Sequence, residues 1–250
     1  MRQLVKNIWK ITIAAAAVLL LYTIYSVFSV PDLCELKKTN PKTTAFIEMK
    51  KEEWKDKKLK RKIDQRWVPL SAISRNLKNA VIAAEDPNFY HHHGLDFHAV
   101  YLAMKHDLEE HRIVYGASTI TQQLMKNLYL SPSRNPFRKW REAILALRVE
   151  RCVPKNRILE IYLNSIEWGD SIYGIEAAAR RYFGKSASEL DAAESALLAS
   201  MIPNPNYFNP YKRPASLLSV KNRTLEDMWR RGMISKAEYE QAKNEVIHLR

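Results

Sequence analysis

The sequence has little cysteine, little strand patterning and nothing that separates domains, and each shortage excludes something. Cys34 and Cys152 are the two cysteines in 250 residues, far apart and without metal-type spacing. Neither a disulfide framework nor a zinc site is readable from them, and both are expected as free thiols. No Gly/Ser-rich or Pro-rich divider, internal repeat or low-complexity tract occurs, so one main domain with accessories fits the length. Alternation of apolar and polar residues is scarce, which leaves at most a small strand element. Apolar residues instead recur at helical spacing in Ile73, Leu77, Val81 and Ala84, in Phe97, Tyr101, Met104 and Leu108, and in Ile158, Leu159, Tyr162 and Leu163. The fold class expected is mainly α.

What the chain does have is one long apolar run and an excess of positive charge. Residues 11–30 carry no charge, and 20 residues at about 1.5 Å each cover the roughly 30 Å of a bilayer's hydrocarbon. A cleaved signal peptide would have a shorter apolar region ending in small residues, whereas Val27, Phe28 and Val30 occupy the exit here. Arg2, Lys6 and Lys10 precede the run, which places the N-terminus in the cytoplasm and the rest of the chain outside. The expected organisation is a tail at 1–10, a transmembrane helix at 11–30, a polar membrane-proximal connector at 31–62 and the main domain at 63–250. Without Arg2, Lys6 and Lys10 the chain's 40 Lys and Arg fall to 37 against 27 Asp and Glu, a net +10 outside, which suggests anionic headgroups or phosphates as partners, and no nucleic acid is expected. The run KKEEWKDKKLKRK is interleaved with acids and reads equally as a solvated helix face.

Four stretches carry candidate chemistry. In EDPNFYHHHG (85–94), Glu85 continues the stripe of Leu77 and Val81 in the last turn of its helix, because Pro87 disfavours helical geometry at Asp86. Partial burial and the negative helix end both penalise the ionised carboxylate, as a general acid or base near neutral pH requires. A lone Glu at a helix end otherwise packs its stem and wets its head. Three consecutive histidines do not share a face, so His91, His92 and His93 are not expected to bind metal, and Gly94 reads as a turn. In GASTITQQLMKN (116–127), Thr119 with Gln122 fits a capping box starting a helix near Ser118. Ser118, Gln122 and Lys126 then follow at four-residue steps on one face, suited to phosphate or sugar hydroxyls, or simply to an amphipathic surface helix. In RNPFRKWREAILALRVER (134–151), Arg precedes Glu in the Arg138–Glu142 pair, the less favourable order, so Arg134, Arg138, Lys139 and Arg141 read as anion-binding instead of locally paired. KNRILEIYLN (155–164) sets Asn156, Glu160 and Asn164 opposite an apolar face and serves equally as scaffolding.

Taken together, these stretches resemble the E-D-x-x-F-x-x-H-x-G, G-x-S-T-I-T-Q-Q-L-x-K-N, R-K-x-x-E and K-x-x-I-L-E-x-Y-L-N motifs of peptidoglycan glycosyltransferases, found alone or as half of bifunctional penicillin-binding proteins. YGIEAAARRYFGK and residues 203–210 are similar to that family's closing region. No S-x-x-K or K-T-G occurs, so the resemblance is to the monofunctional form. It implies a lysozyme-like bilobal helical domain that polymerises lipid II into β-1,4 glycan, inverts the anomeric carbon and releases undecaprenyl pyrophosphate.

By the same resemblance Glu85 is the base and Glu142 a second catalytic carboxylate. Asp86, Ser118, Gln122, Lys126, Arg138 and Lys155 bind substrate or pyrophosphate, while His92, Gly94 and Asn127 are structural. No cofactor is required, with Mg²⁺ or Mn²⁺ near Glu142 left open. Partners are lipid II, the growing chain, the bilayer of the bacterial inner membrane and other cell-wall synthesis proteins. A lytic transglycosylase or muramidase would share the lone Glu without needing the cations, and a non-enzymatic precursor-binding protein would not need the carboxylates.

Overall fold

The computed structural model describes residues 2–29, 32–109, 117–132, 135–212 and 214–250. Among them lie eleven α-helices: α1 (Arg2–Phe28), α2 (Ala45–Asp56), α3 (Arg75–Glu85), α4 (Phe97–Glu109), α5 (Ile120–Tyr129), α6 (Pro136–Val149), α7 (Lys155–Ser165), α8 (Ile175–Tyr182), α9 (Ala192–Ala199), α10 (Pro214–Arg230) and α11 (Lys236–Asn244). The fold is mainly α. Three short strands, β1 (Asp64–Gln65), β2 (Glu167–Gly169) and β3 (Ile172–Tyr173), form one small sheet in the order β1-β3-β2, with β1 parallel and β2 antiparallel to β3.

α1 is the one described helix long and apolar enough to cross a membrane, over Asn7–Ser26 with a mean hydropathy of 1.8. Ile8, Ile11, Ile13, Leu20, Leu21, Ile24 and Phe28 along it are exposed, as a helix facing lipid requires. The residues expected as a separate tail are already helical from Arg2, and Val30 lies outside the described residues.

The remaining helices sort into two packed groups. α3 packs with α9 and α10, and α11 closes on the latter two; α5 packs with α2, α6 and α7. One continuous core runs through both, including Leu77, Val81, Leu124, Leu145, Ile161, Leu198 and Met228, all fully buried. The polar residues of α7 serve this scaffold. Asn164 is fully buried and exchanges two 2.9 Å hydrogen bonds with the backbone of Val68, and Glu160 accepts from Leu70 N–H at 2.8 Å.

Two expectations fail in the membrane-proximal stretch. Residues 32–57 are not a loose polar connector: Leu33, Leu36, Ile47 and Trp54 are all buried, and α2 lies on α5. The Arg157 guanidinium reaches across to donate to the carbonyls of Leu36 and Thr39, both at 2.8 Å, and to Asn40 Oδ1 at 2.7 Å. Nor are the cysteines free. The turn bearing Cys34 packs on the C-terminal end of α6, which brings its Cα within 5.4 Å of that of Cys152 and joins the two in a disulfide. Closing a loop across a separation of 118 residues restricts the unfolded chain, and losing such a bridge costs about 2–5 kcal/mol. The paired substitutions Cys34→Ser and Cys152→Ser should therefore lower the melting temperature by several degrees; an unchanged melt would show that the bridge adds no stability.

Candidate active site

α3 begins where Ser74 Oγ accepts from Leu77 N–H at 3.2 Å and ends at Glu85, with Asp86 extended at φ −159° before Pro87. This termination leaves Glu85 half-buried at the junction of α3 and α5. Its Oε2 accepts from Gln123 Nε2 at 2.7 Å, and Gln123 Oε1 in turn accepts from the hydroxyl of buried Tyr162 at 2.8 Å. The relay fixes the carboxyl's direction. Burial raises the carboxyl's pKa, outweighing the Gln123 hydrogen bond and the attraction of Lys126, with the neighbouring Asp86 adding repulsion.

Asp86 faces inward instead. Both of its oxygens lie 3.0 Å from His92 Nε2, and Oδ2 also accepts from Ile120 N–H at 2.9 Å, so one carboxylate ties the end of α3 to the start of α5. His92 is buried while His91 and His93 face solvent. Behind His92, Lys155 Nζ sits 3.4 Å from Nδ1. Lys155 pairs with Glu150 at 2.7 Å, and Glu150 accepts from Thr121 at 2.5 Å. Lys155, expected among the pyrophosphate-binding residues, lies within this inner network. Gly94 closes the same loop at φ +91°, where an added Cβ would lie 2.8 Å from the Ala146 carbonyl oxygen.

α5 starts with the Thr119–Gln122 capping box, which occupies both side chains. Gln122, expected to contact substrate, is buried and turns to its own helix start. Asn127 bonds within α5, to the Gln123 carbonyl at 2.8 Å. Gln123, absent from the expected site, is the glutamine that reaches Glu85. Counting by fours from Ser118 selected Gln122; counting three back from Lys126 would have found Gln123 on the face it shares with that lysine.

The cationic side comes from α5 and α6. Glu142 is 2 % exposed and accepts from Arg138 Nη1 at 2.8 Å and Lys139 Nζ at 2.5 Å, while Lys139 also donates to Ser118 Oγ at 2.7 Å. The Arg138–Glu142 pair, judged the less favourable from residue order, does form, in a buried setting that strengthens it. Three cations, Lys126 included, nevertheless surround one carboxylate. Burial lowers the pKa of Lys126 first, and Arg138 and Lys139 lower it further against the pull of Glu142 and Glu85. Both oxygens of Glu142 are engaged by cations, and no group of three or more His, Cys, Asp or Glu gathers among the described residues. Arg141 leaves the expected anion cluster, donating to Ser29 Oγ at 2.8 Å and lying over the Tyr25 ring of α1. Arg134 and Gly116 lie outside the described residues.

Glu85 also borders a cleft of about 420 Å³, with Asn88, Asp96, His98, Ser118 and Arg231 among its lining. Lys126, Arg138 and Lys139 do not line it, so the carboxyl joins a polar cleft to a cationic surface. One side can seat a hydroxyl-bearing molecule, and the other can neutralise departing negative charge.

The described fold is helical, and the chain belongs to the Transglycosylase family, whose model matches residues 52–229. The match begins inside α2, in keeping with the packing of that helix on the domain. The chain is similar to the biosynthetic peptidoglycan transglycosylases of Nitrosospira multiformis (42% identical over 217 residues, 87% of this chain and 93% of that one) and Azoarcus sp. strain BH72 (43% over 207 residues, 81% and 88%). It is also similar to the solved structure of penicillin-binding protein 1A from Haemophilus influenzae, with a TM-score of 0.46 and 26% identity over 75% of this chain and 18% of that one. The activity is peptidoglycan transglycosylation, a glycosyl transfer in cell-wall synthesis.

Proposed function

We propose that the enzyme polymerises lipid II, with Glu85 as the general base. The 4-hydroxyl of the acceptor lipid II attacks the anomeric carbon of the growing chain, and its proton passes to Glu85. The bond from that carbon to phosphate breaks, the electron pair leaves with undecaprenyl pyrophosphate, and attack from the opposite face inverts the centre to a β-1,4 linkage. Lys126, Arg138 and Lys139 meet the charge on the leaving pyrophosphate, so no acid is needed there. The observation that carries this reading is the position of Glu85: proton affinity raised by burial, direction held by Gln123, and Lys126 alongside.

The membrane helix supports the same reading. The Tyr22 and Phe137 rings are 5.0 Å apart, and Trp140 Nε1 donates to Thr23 Oγ1 at 3.0 Å, so the C-terminal end of α1 lies along the helix that bears Arg138 and Lys139. A lipid-linked pyrophosphate emerging from the bilayer would meet those cations. The disulfide fits an oxidising compartment, which with the basic residues before the span supports an extracytoplasmic domain at the inner membrane.

Purified protein incubated with labelled lipid II should yield a polymer sensitive to lysozyme, together with undecaprenyl pyrophosphate. Shortening of pre-formed glycan would establish the cleaving alternative, and binding without product the non-enzymatic one.

Glu142→Gln removes the negative charge between Arg138 and Lys139. Polymerisation should fall at least tenfold, about 1.4 kcal/mol in the barrier. The burial of Glu142 adds a loss of melting temperature, since breaking a buried ion pair costs up to about 3–5 kcal/mol. A lower melt with wild-type turnover would make Glu142 a structural residue only.

α4 offers a second membrane contact, with Phe97 72 % exposed, Tyr101 63 %, Met104 60 % and Leu108 72 %. A chain shortened to residues 31–250 should still bind anionic lipid vesicles, and adding Tyr101→Glu with Met104→Glu should abolish that binding. Undiminished binding in the double variant would remove α4 from the membrane surface.

A further inference from the structure

The stretch expected as a connector also forms a wall of the cationic site. Thr44 caps α2 by accepting from Ile47 N–H at 3.0 Å, and the buried Ile47 and Trp54 seat the helix. The disulfide and the Arg157 contacts hold the chain just before it. So placed, α2 presents half-buried Phe46 to α5, with Lys126 Nζ 5.8 Å from the centre of its ring.

Lys126 has few other ways to be held. Its ammonium makes no hydrogen bond within the described residues, Arg138 and Lys139 repel it, and the two carboxylates that attract it are already engaged. Glu142 is bonded to Arg138 and Lys139, and Glu85 to Gln123. An aromatic face attracts an ammonium through its quadrupole without using any of the three N–H donors. A carboxylate or carbonyl in the same place would consume one.

We propose that Phe46 is a positioning residue for the transfer step, its ring holding the Lys126 ammonium while leaving its donors free for the leaving pyrophosphate. The assignment rests on the reading of Lys126 as a pyrophosphate partner. Phe46 lies outside all four sequence motifs, in a segment whose contribution depends on the fold around it.

The test uses the full-length protein and lipid II in detergent, with Phe46→Leu, Phe46→Tyr, Lys126→Ala and the Phe46→Leu/Lys126→Ala double variant, measuring kcat, KM and melting temperature. Phe46→Leu keeps an apolar side chain and should preserve the melt while lowering kcat about two- to fivefold, the range of a partly exposed cation–π contact. Phe46→Tyr restores an aromatic face and should recover most of that loss. In the double variant, Phe46→Leu should add nothing to Lys126→Ala. The proposal is overturned if Leu turns over like wild type, if Tyr falls as far as Leu, if turnover and melt fall together, or if the two losses multiply. Wild-type turnover in Lys126→Ala would instead sink the pyrophosphate reading beneath it.

Discussion

Glu85→Gln should reduce polymerisation by about 10² to 10⁴ while leaving the fold and lipid binding intact, because an amide of the same shape cannot take the acceptor's proton. Gln123 can still hold a side chain of this length through the amide oxygen, so the geometry survives and the chemistry does not. The same variant separates function from stability. A carboxyl whose folded pKa is raised contributes stability that is fully present below its unfolded value and is lost as pH rises through the folded one. At neutral pH the wild type therefore bears the cost of a desolvated charge, and Glu85→Gln should melt no lower than wild type; as the pH falls toward the ordinary carboxylate range, the wild type should gain relative to it. Assays and melts on one preparation check both. Near-normal turnover would remove Glu85 as the base.

Lys126→Ala should lower turnover by about 10² to 10³, the loss typical of removing one preorganised group from developing negative charge. Arg138→Ala should act in the same direction, although it also releases Glu142 from one of its two partners. Lys57, which pairs with Glu53 on the exposed end of α2, is the control, and Lys57→Ala should change turnover little. Initial rates with lipid II at fixed ionic strength decide between local and general effects. Equal losses at Lys57, Lys126 and Arg138 would mean that the basic domain acts through membrane electrostatics and that no discrete pyrophosphate site exists.

The local chemistry of the site was legible in the residues. Pro87 announces the helix end that leaves Glu85 at the junction, and Thr119 with Gln122 announces the start of α5. Each depends on neighbours a few positions apart. What spacing could not show depends on packing between distant segments. The Cys34–Cys152 bridge and the docking of α2 are decided by where the 32–57 stretch lands on α5 and α6. Lys155 is expected at the pyrophosphate by resemblance, and only the fold shows it beside Glu150 and His92. Tyr162 is legible as a core position by its apolar period, and only the fold shows that its hydroxyl continues to Gln123 and Glu85. The Arg138–Glu142 pair marks the limit of propensity arguments, because preferences measured on exposed helices do not carry over to a carboxylate that is 2 % exposed.

The central claim, that half-buried Glu85 takes the acceptor's proton near neutral pH, is tested most directly by the pH dependence of kcat/KM for lipid II polymerisation, which reports the ionisation of the free enzyme. The account predicts a rate that rises with pH through an apparent pKa above the usual carboxylate range, as the desolvated carboxyl of Glu85 loses its proton. A rate already at its plateau above the ordinary glutamate pKa, about 4.3, or one that does not rise with pH at all, would contradict it.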